Sequence, residues 1–174
     1  VVVLRPINPG DYEALRLAEL DASAEGRWRL AGTTPSPEQY PQTLWADVLA
    51  QFLVALSPSN EVVGMVSAYG YQPADGVVSL AAVNFLQPRQ RAVFMRGAAM
   101  FIDWLFAMHP LRRIRIETPE WNLEHLGGLV DHGFASIEGR LVKERFVNGA
   151  YVDVVLMAIT RERWDERRHL VVPR

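Results

Sequence analysis

The chain has 174 residues, 49% of them hydrophobic and 22% charged, a balance that fits one globular domain with its own core and excludes a disordered segment. A formal net charge of −2 argues against nucleic-acid binding through bulk charge. The absence of cysteine excludes disulfides, thiolate metal sites and cysteine nucleophiles together.

Val2, Leu4 and Ile7 open an extended segment that Pro6 and Pro9 interrupt. Asp11 then precedes a helix whose apolar stripe is Leu15, Leu17, Ala18 and Leu20. Ser36 followed by Pro37 reads as the N-cap and first position of a second helix, running through Tyr40, Leu44, Trp45, Val48 and Leu49. Phe52–Leu56 and Val62–Tyr69 read as a hairpin around the Ser57–Asn60 turn. Val77–Leu86 is a near-continuous apolar strand, as expected at the centre of a sheet, and Pro88 ends it.

Residues 91–107 carry the clearest helix, with Phe94, Ala98, Phe101, Ile102 and Leu105 at spacings of three and four. Leu111–Thr118 alternates with period two. Asn122–His132 reads as a short helix closed by Gly133. Phe134–Val147 and Tyr151–Ile159 are two strands joined through Asn148-Gly149, a strong hairpin signal. The C-terminal RERWDERRHLVVPR is charged, and its end is expected to be poorly ordered. The element order implies a mixed sheet with helices on both faces. No apolar run is long enough to cross a bilayer, and VVVLRPINPGDY lacks the plan of a signal peptide, so a cytoplasmic protein is expected. Lys143 is the only lysine among 18 basic side chains, which leaves little room for a lysine nucleophile.

Four places carry a family resemblance: the opening LRP with its Asp-Tyr helix entry, Pro88–Phe94 leading into a long helix, Asn122 ending in Gly133-Phe134, and GFASIEGRLVKERFVNGAYVDVVLMAITRERW. On these the chain resembles the GNAT superfamily of acyl-CoA-dependent N-acyltransferases, and within it the branch of ribosomal-protein N-terminal acetyltransferases. The resemblance implies a mixed, mostly antiparallel α/β sheet of six or seven strands with helices on both faces. It implies a single domain over residues 1–164 with a charged tail at 165–174. It further implies transfer of an acetyl or other short acyl group from acyl-CoA to a primary amine, with no metal. The acceptor would be a small molecule or a peptide, with neither nucleic acid nor membrane involved and a homodimer possible. The alternatives are a non-catalytic or weakly active acyl-CoA-binding or scaffold protein on the same fold, and a structural or partner-binding module using the Trp-rich N-terminal half.

The implied cofactor-binding positions are Phe85, Leu86, Gln87, Arg89, Gln90, Arg91, Ala92, Val93 and Asn122. The family's phosphate loop has glycine-type residues where this chain has Ala92 and Phe94, so Arg89, Arg91 and Arg96 are candidates to hold phosphate through side chains. Phe94 also reads as part of the helix's apolar stripe. Asn122 reads both as a contact to the CoA arm and as a helix N-cap. Where many relatives carry a tyrosine at the thioester sulfur, this chain has Leu129; His125, one turn earlier, is the candidate acid. Its alternative is a partly exposed helix residue. Glu117 is the candidate base, and its alternative is a surface residue paired with Arg113 or Arg115. Candidates for the acceptor pocket are Arg27, Trp28, Arg29, Tyr40, Trp45, Tyr69 and Tyr71.

Overall fold

A computed structural model of the chain describes residues 1–24, 29–85 and 91–172. Seven strands form one sheet: β1 (Val2–Arg5), β2 (Val48–Leu56), β3 (Glu61–Gln72), β4 (Val77–Asn84), β5 (Arg113–Pro119), β6 (Ser136–Val147) and β7 (Ala150–Thr160). Their order is β1-β2-β3-β4-β5-β7-β6, with β4 in the middle as its apolar run predicts. Every neighbouring pair is antiparallel except β4 and β5. The mixed, mostly antiparallel sheet with helices is therefore observed.

Alternation along the strands sends side chains to two cores. On one face Val54, Val66, Val78, Leu80, Ile114 and Ile116 meet Phe94, Ala98, Phe101, Ile102 and Leu105 of α3 (Arg91–Met108). The approach is close. A Cβ at Gly97 would lie 2.3 Å from Val54 Cγ1, and one at Gly64 would lie 2.5 Å from Phe94 Cε2. Phe94 is thus a core residue, as its place in the helical stripe suggests, and the missing side chain at Gly64 gives its ring room. On the other face Leu53, Met65 and Val83 meet Leu15 of α1 (Tyr12–Ala24) and Tyr40 and Leu44 of α2 (Tyr40–Trp45).

The expected helix over residues 37–49 shrinks to α2. Pro41 has no N–H to give the Pro37 carbonyl, and its ring would clash there, so it sits in the first turn of α2 and the helix does not extend back to Pro37. Ser36 instead closes a turn: its carbonyl accepts from the backbone N–H of Gln39 and Tyr40 at 3.0 and 2.9 Å. Asp47, at φ 56°, then turns the chain into β2, which takes Val48 and Leu49 as strand residues.

Two turns follow the sequence closely. Asn148 and Gly149 both have positive φ and join β6 to β7. Gly133, at φ 73°, closes α4 (Leu123–Asp131), and its N–H bonds the Val130 carbonyl at 2.9 Å.

The charged C-terminal segment is structured as far as Val172, and its end, 173–174, on which the expectation falls, lies outside the described residues. Thr160 accepts from the Arg163 N–H and opens α5 (Arg161–Arg167). Trp164 is buried and donates from Nε1 to Asp103 at 2.9 Å. Val171 and Val172 pack against the α3 core. The charged residues are the outer face of a segment anchored by Trp164 and the two valines.

Candidate active-site cleft

The parallel pairing of β4 with β5 covers only Val77–Ser79 against Arg113–Arg115. Both strands continue, to Asn84 and to Pro119, without pairing again. Their divergence leaves backbone hydrogen-bonding groups along the gap without a ladder partner. A cleft of about 950 Å³ occupies the gap, within the range of roughly 300–1,000 Å³ usual for small-molecule sites.

The cleft is lined from both faces of the sheet. On the α3 face its walls are Met95, Ala98, Ala99 and Ile102 of α3, Leu126 and Leu129 of α4, and the C-terminal Leu170–Val172. Arg91 and Ala92 open α3, and His125 of α4 meets Arg91 there. On the opposite face Arg29, Tyr69, Glu117 and Arg145 line it. The cleft therefore passes through the sheet, from an apolar trough between two helices to a polar end beneath α1 and α2.

At the α3 end, Arg91 Nη1 lies 3.1 Å from His125 Nδ1, and the same guanidinium donates to the His125 carbonyl. The arginine can only donate, so Nδ1 is the acceptor and the proton of neutral His125 sits on Nε2. Asn122 Nδ2 donates to Thr118 Oγ1 at 2.9 Å. Its side chain does not cap α4, which corrects that half of its reading; it ties the entry of α4 to the end of β5.

At the opposite end, the Arg29 guanidinium lies over the Tyr69 ring, 5.3 Å from its centroid, and Nη2 donates to the Leu44 carbonyl at 2.6 Å. Burial pulls the Arg29 guanidinium down from its ordinary value, against the opposing pull of Glu19, Tyr69 and Asp47. Burial first, and the Glu117 carboxylate second, push the Tyr69 hydroxyl up, while Arg29 and Arg145 act the other way. Tyr69 thus holds its proton at neutral pH and is a donor here, not a base. Arg113 pairs with Glu138 rather than with Glu117.

Arg145 reaches the cleft through a bulge in β6. The β6–β7 register shifts between Leu141 and Arg145, and Lys143 takes φ 53°. Asp153 holds the bulge, accepting from the Lys143 N–H at 2.8 Å and from Arg140 Nε at 2.6 Å. Arg140 also bridges to Glu120 at 2.7 Å. Bulges bend strands, and this one redirects the hairpin end that carries Arg145.

Of the residues singled out from sequence, Arg91, Ala92, Asn122, His125, Glu117, Arg29 and Tyr69 line the cleft. Arg96, an additional phosphate candidate, lines it as well. Phe85 and Val93 pack against the two cores instead. Tyr40 is buried in the second core, Trp45 Nε1 donates to Tyr12 Oη at 3.3 Å, and Tyr71 packs on the α3 core. Leu86, Gln87, Arg89, Gln90, Arg27 and Trp28 lie outside the described residues. Sequence reasoning missed Arg145, the small pair Ala98-Ala99 and the C-terminal cover. Only for the last was there a signal, the apolar Trp164, Leu170, Val171 and Val172 among the charges. Among the described residues no cluster of side chains suits a metal ion, and no helix is long and apolar enough to cross a membrane.

This architecture is that of the GNAT acetyltransferases. The chain aligns with a spermidine N-acetyltransferase of Vibrio cholerae in complex with CoA and spermine at a TM-score of 0.76 and 18% identity, covering 94% of this chain and 97% of the other. With the ribosomal-protein alpha-N-acetyltransferase RimL in complex with coenzyme A the TM-score is 0.74 at 16% identity, over 91% and 93% of the two chains. A structure described as a probable GNAT-family acetyltransferase of Chromobacterium violaceum gives 0.72 at 18% identity, over 94% and 90%. At such identities the likeness establishes the fold. No protein-family model and no curated sequence matches the chain.

Proposed function

We propose that the chain is an acyl-CoA-dependent N-acyltransferase that moves an acetyl or other short acyl group to a primary amine. The observation that carries this reading is the cleft lined from both faces of the sheet: an apolar side suited to a thioester and a polar side suited to an amine meet where β4 and β5 diverge. Its support from similarity is a fold shared with acetyltransferases solved with CoA.

The cleft suits an acyl-CoA. Its trough is apolar along α3 and α4, its open strand edges offer amide partners, and Arg91 and Arg96 stand where the α3 N-terminus favours anions. Arg91, Arg96 and Asn122 would hold the CoA, together with Leu86, Gln87, Arg89 and Gln90 just before them in the sequence. The bound acyl-CoA supplies an activated thioester carbonyl. In the transfer, the amine nitrogen bonds to the acyl carbon, the carbon–sulfur bond breaks, and the nitrogen loses a proton. Glu117, on the amine side, takes that proton directly or through a water. His125 Nε2–H, 3.9 Å from Glu124 Oε1, donates a hydrogen bond to the departing thiolate in place of the tyrosine that Leu129 replaces, and the thiolate takes its proton from water. Tyr69 donates a hydrogen bond from the amine side.

The test is release of free CoA on mixing the protein with acetyl-CoA and a broad panel of primary amines. Amine-dependent release with formation of the amide is expected. Saturable acetyl-CoA binding without amide formed from any amine would leave a binding protein on this fold.

A further inference from the structure

Resting on that reading, we propose that the acceptor is an amine carrying an anionic group, a carboxylate or a phosphate, held by Arg145 and Arg29 while Glu117 receives the ammonium. The polar end of the cleft has two cationic lining residues and one anionic one. Arg145 makes no hydrogen bond or ion pair with any described residue, yet the bulge fixed by Asp153 redirects its strand and it lines the cleft. A guanidinium kept at a half-buried position without a carboxylate is poised for one from outside. Arg29 is fixed differently. It is anchored on the Leu44 carbonyl and the Tyr69 face, with Glu19 on its protein side.

Among the described residues, the charges facing this end are accounted for in this assignment. Glu117 and the exposed Asp47 are the carboxylates near Tyr69 and Arg29, and Glu19 is buried behind them. A polycation such as spermine, which a structural neighbour binds, would have to place several ammonium groups beside two guanidiniums. A small amine with one anionic end instead satisfies both signs. The arrangement also demands one direction of entry, with the nitrogen toward Glu117 and the strand gap.

The experiment compares kcat/KM for β-alanine, aspartate, phosphoethanolamine, ethanolamine and spermidine with acetyl-CoA saturating. The expected result is at least a tenfold preference for carboxylate- or phosphate-bearing amines over ethanolamine, with spermidine lowest; the two anion types separate carboxylate from phosphate recognition. In Arg145→Gln that preference collapses toward unity through KM, and Arg145→Lys restores part of it. Preference for spermidine or ethanolamine, or an anionic preference untouched by Arg145→Gln, overturns this proposal while leaving acyl transfer intact. Transfer to no amine at all overturns the acyltransferase reading and this proposal with it.

Discussion

The two ends of the cleft are built on opposite principles. The α3 end is mostly shape: small side chains at Ala98 and Ala99 and a parting of strands leave an apolar trough, with charge at its mouth. The opposite end is mostly chemistry: Arg29, Tyr69, Glu117 and Arg145 converge from a loop and three strands. The first arrangement follows from how the sheet and α3 pack, and structural neighbours share the fold that creates it. The second depends on individual side chains and one bulge. Fold therefore accounts for where the reaction would occur, and a handful of residues for what would react.

That contrast can be broken at each end. The largest stability effect belongs to the floor of the helical side. Trp164 is buried against Phe134 and Phe106 and bonded to Asp103, so Trp164→Ala should cost about 3–5 kcal/mol in denaturant unfolding. At the polar end, Glu117→Gln should leave unfolding nearly unchanged, since Glu117 is exposed, but lower kcat by roughly 10²–10⁴-fold. A Glu117→Gln enzyme with normal kcat would place the base elsewhere.

His125→Ala separates the ends more finely. If Nε2–H serves the thiolate, the variant loses kcat while acetyl-CoA affinity holds. If His125 only steadies Arg91, acetyl-CoA affinity falls and kcat holds. Arg91→Ala should weaken acetyl-CoA by roughly 1.5–3 kcal/mol, the range for hydrogen bonds to charged groups, with no change in preference among acceptors.

The smallest effect lies away from both ends. Arg5 grips Asp11 with two hydrogen bonds, 2.9 and 2.8 Å, and that pairing, chiefly its hydrogen bonds, holds the carboxyl below its ordinary value. A lowered folded-state value means the stabilisation is fully present above the unfolded value near about 3.9 and is lost as pH falls through the folded one. Thermal unfolding followed from pH 6 downward should therefore lose stability below about pH 4. Asp11→Asn should flatten that slope and leave the cleft unaffected.

Much of the fold was legible because its signals are local. Asn148-Gly149, the Gly133 stop, the alternation over Leu111–Thr118 and the stripe of α3 each follow from rules acting over a few residues. The second helix was misjudged because Ser36-Pro37 is a good start signal and Pro41 vetoes it four residues later. The C-terminal anchor was obscured because charges outnumber the apolar residues that hold it. At the site, the α3 end was readable through family resemblance, whereas Arg145 was not. Its place depends on a bulge held by a residue ten positions away from Lys143, in the next strand, and no local pattern announces that.

The most direct test is calorimetric titration of the protein with acetyl-CoA, repeated with Arg91→Ala. The account predicts saturable one-to-one binding in the parent, matched by a rise in thermal stability of about 2.7 kcal/mol at a hundredfold excess over Kd, and weaker binding in the variant. No heat and no stabilisation at millimolar acetyl-CoA would contradict it.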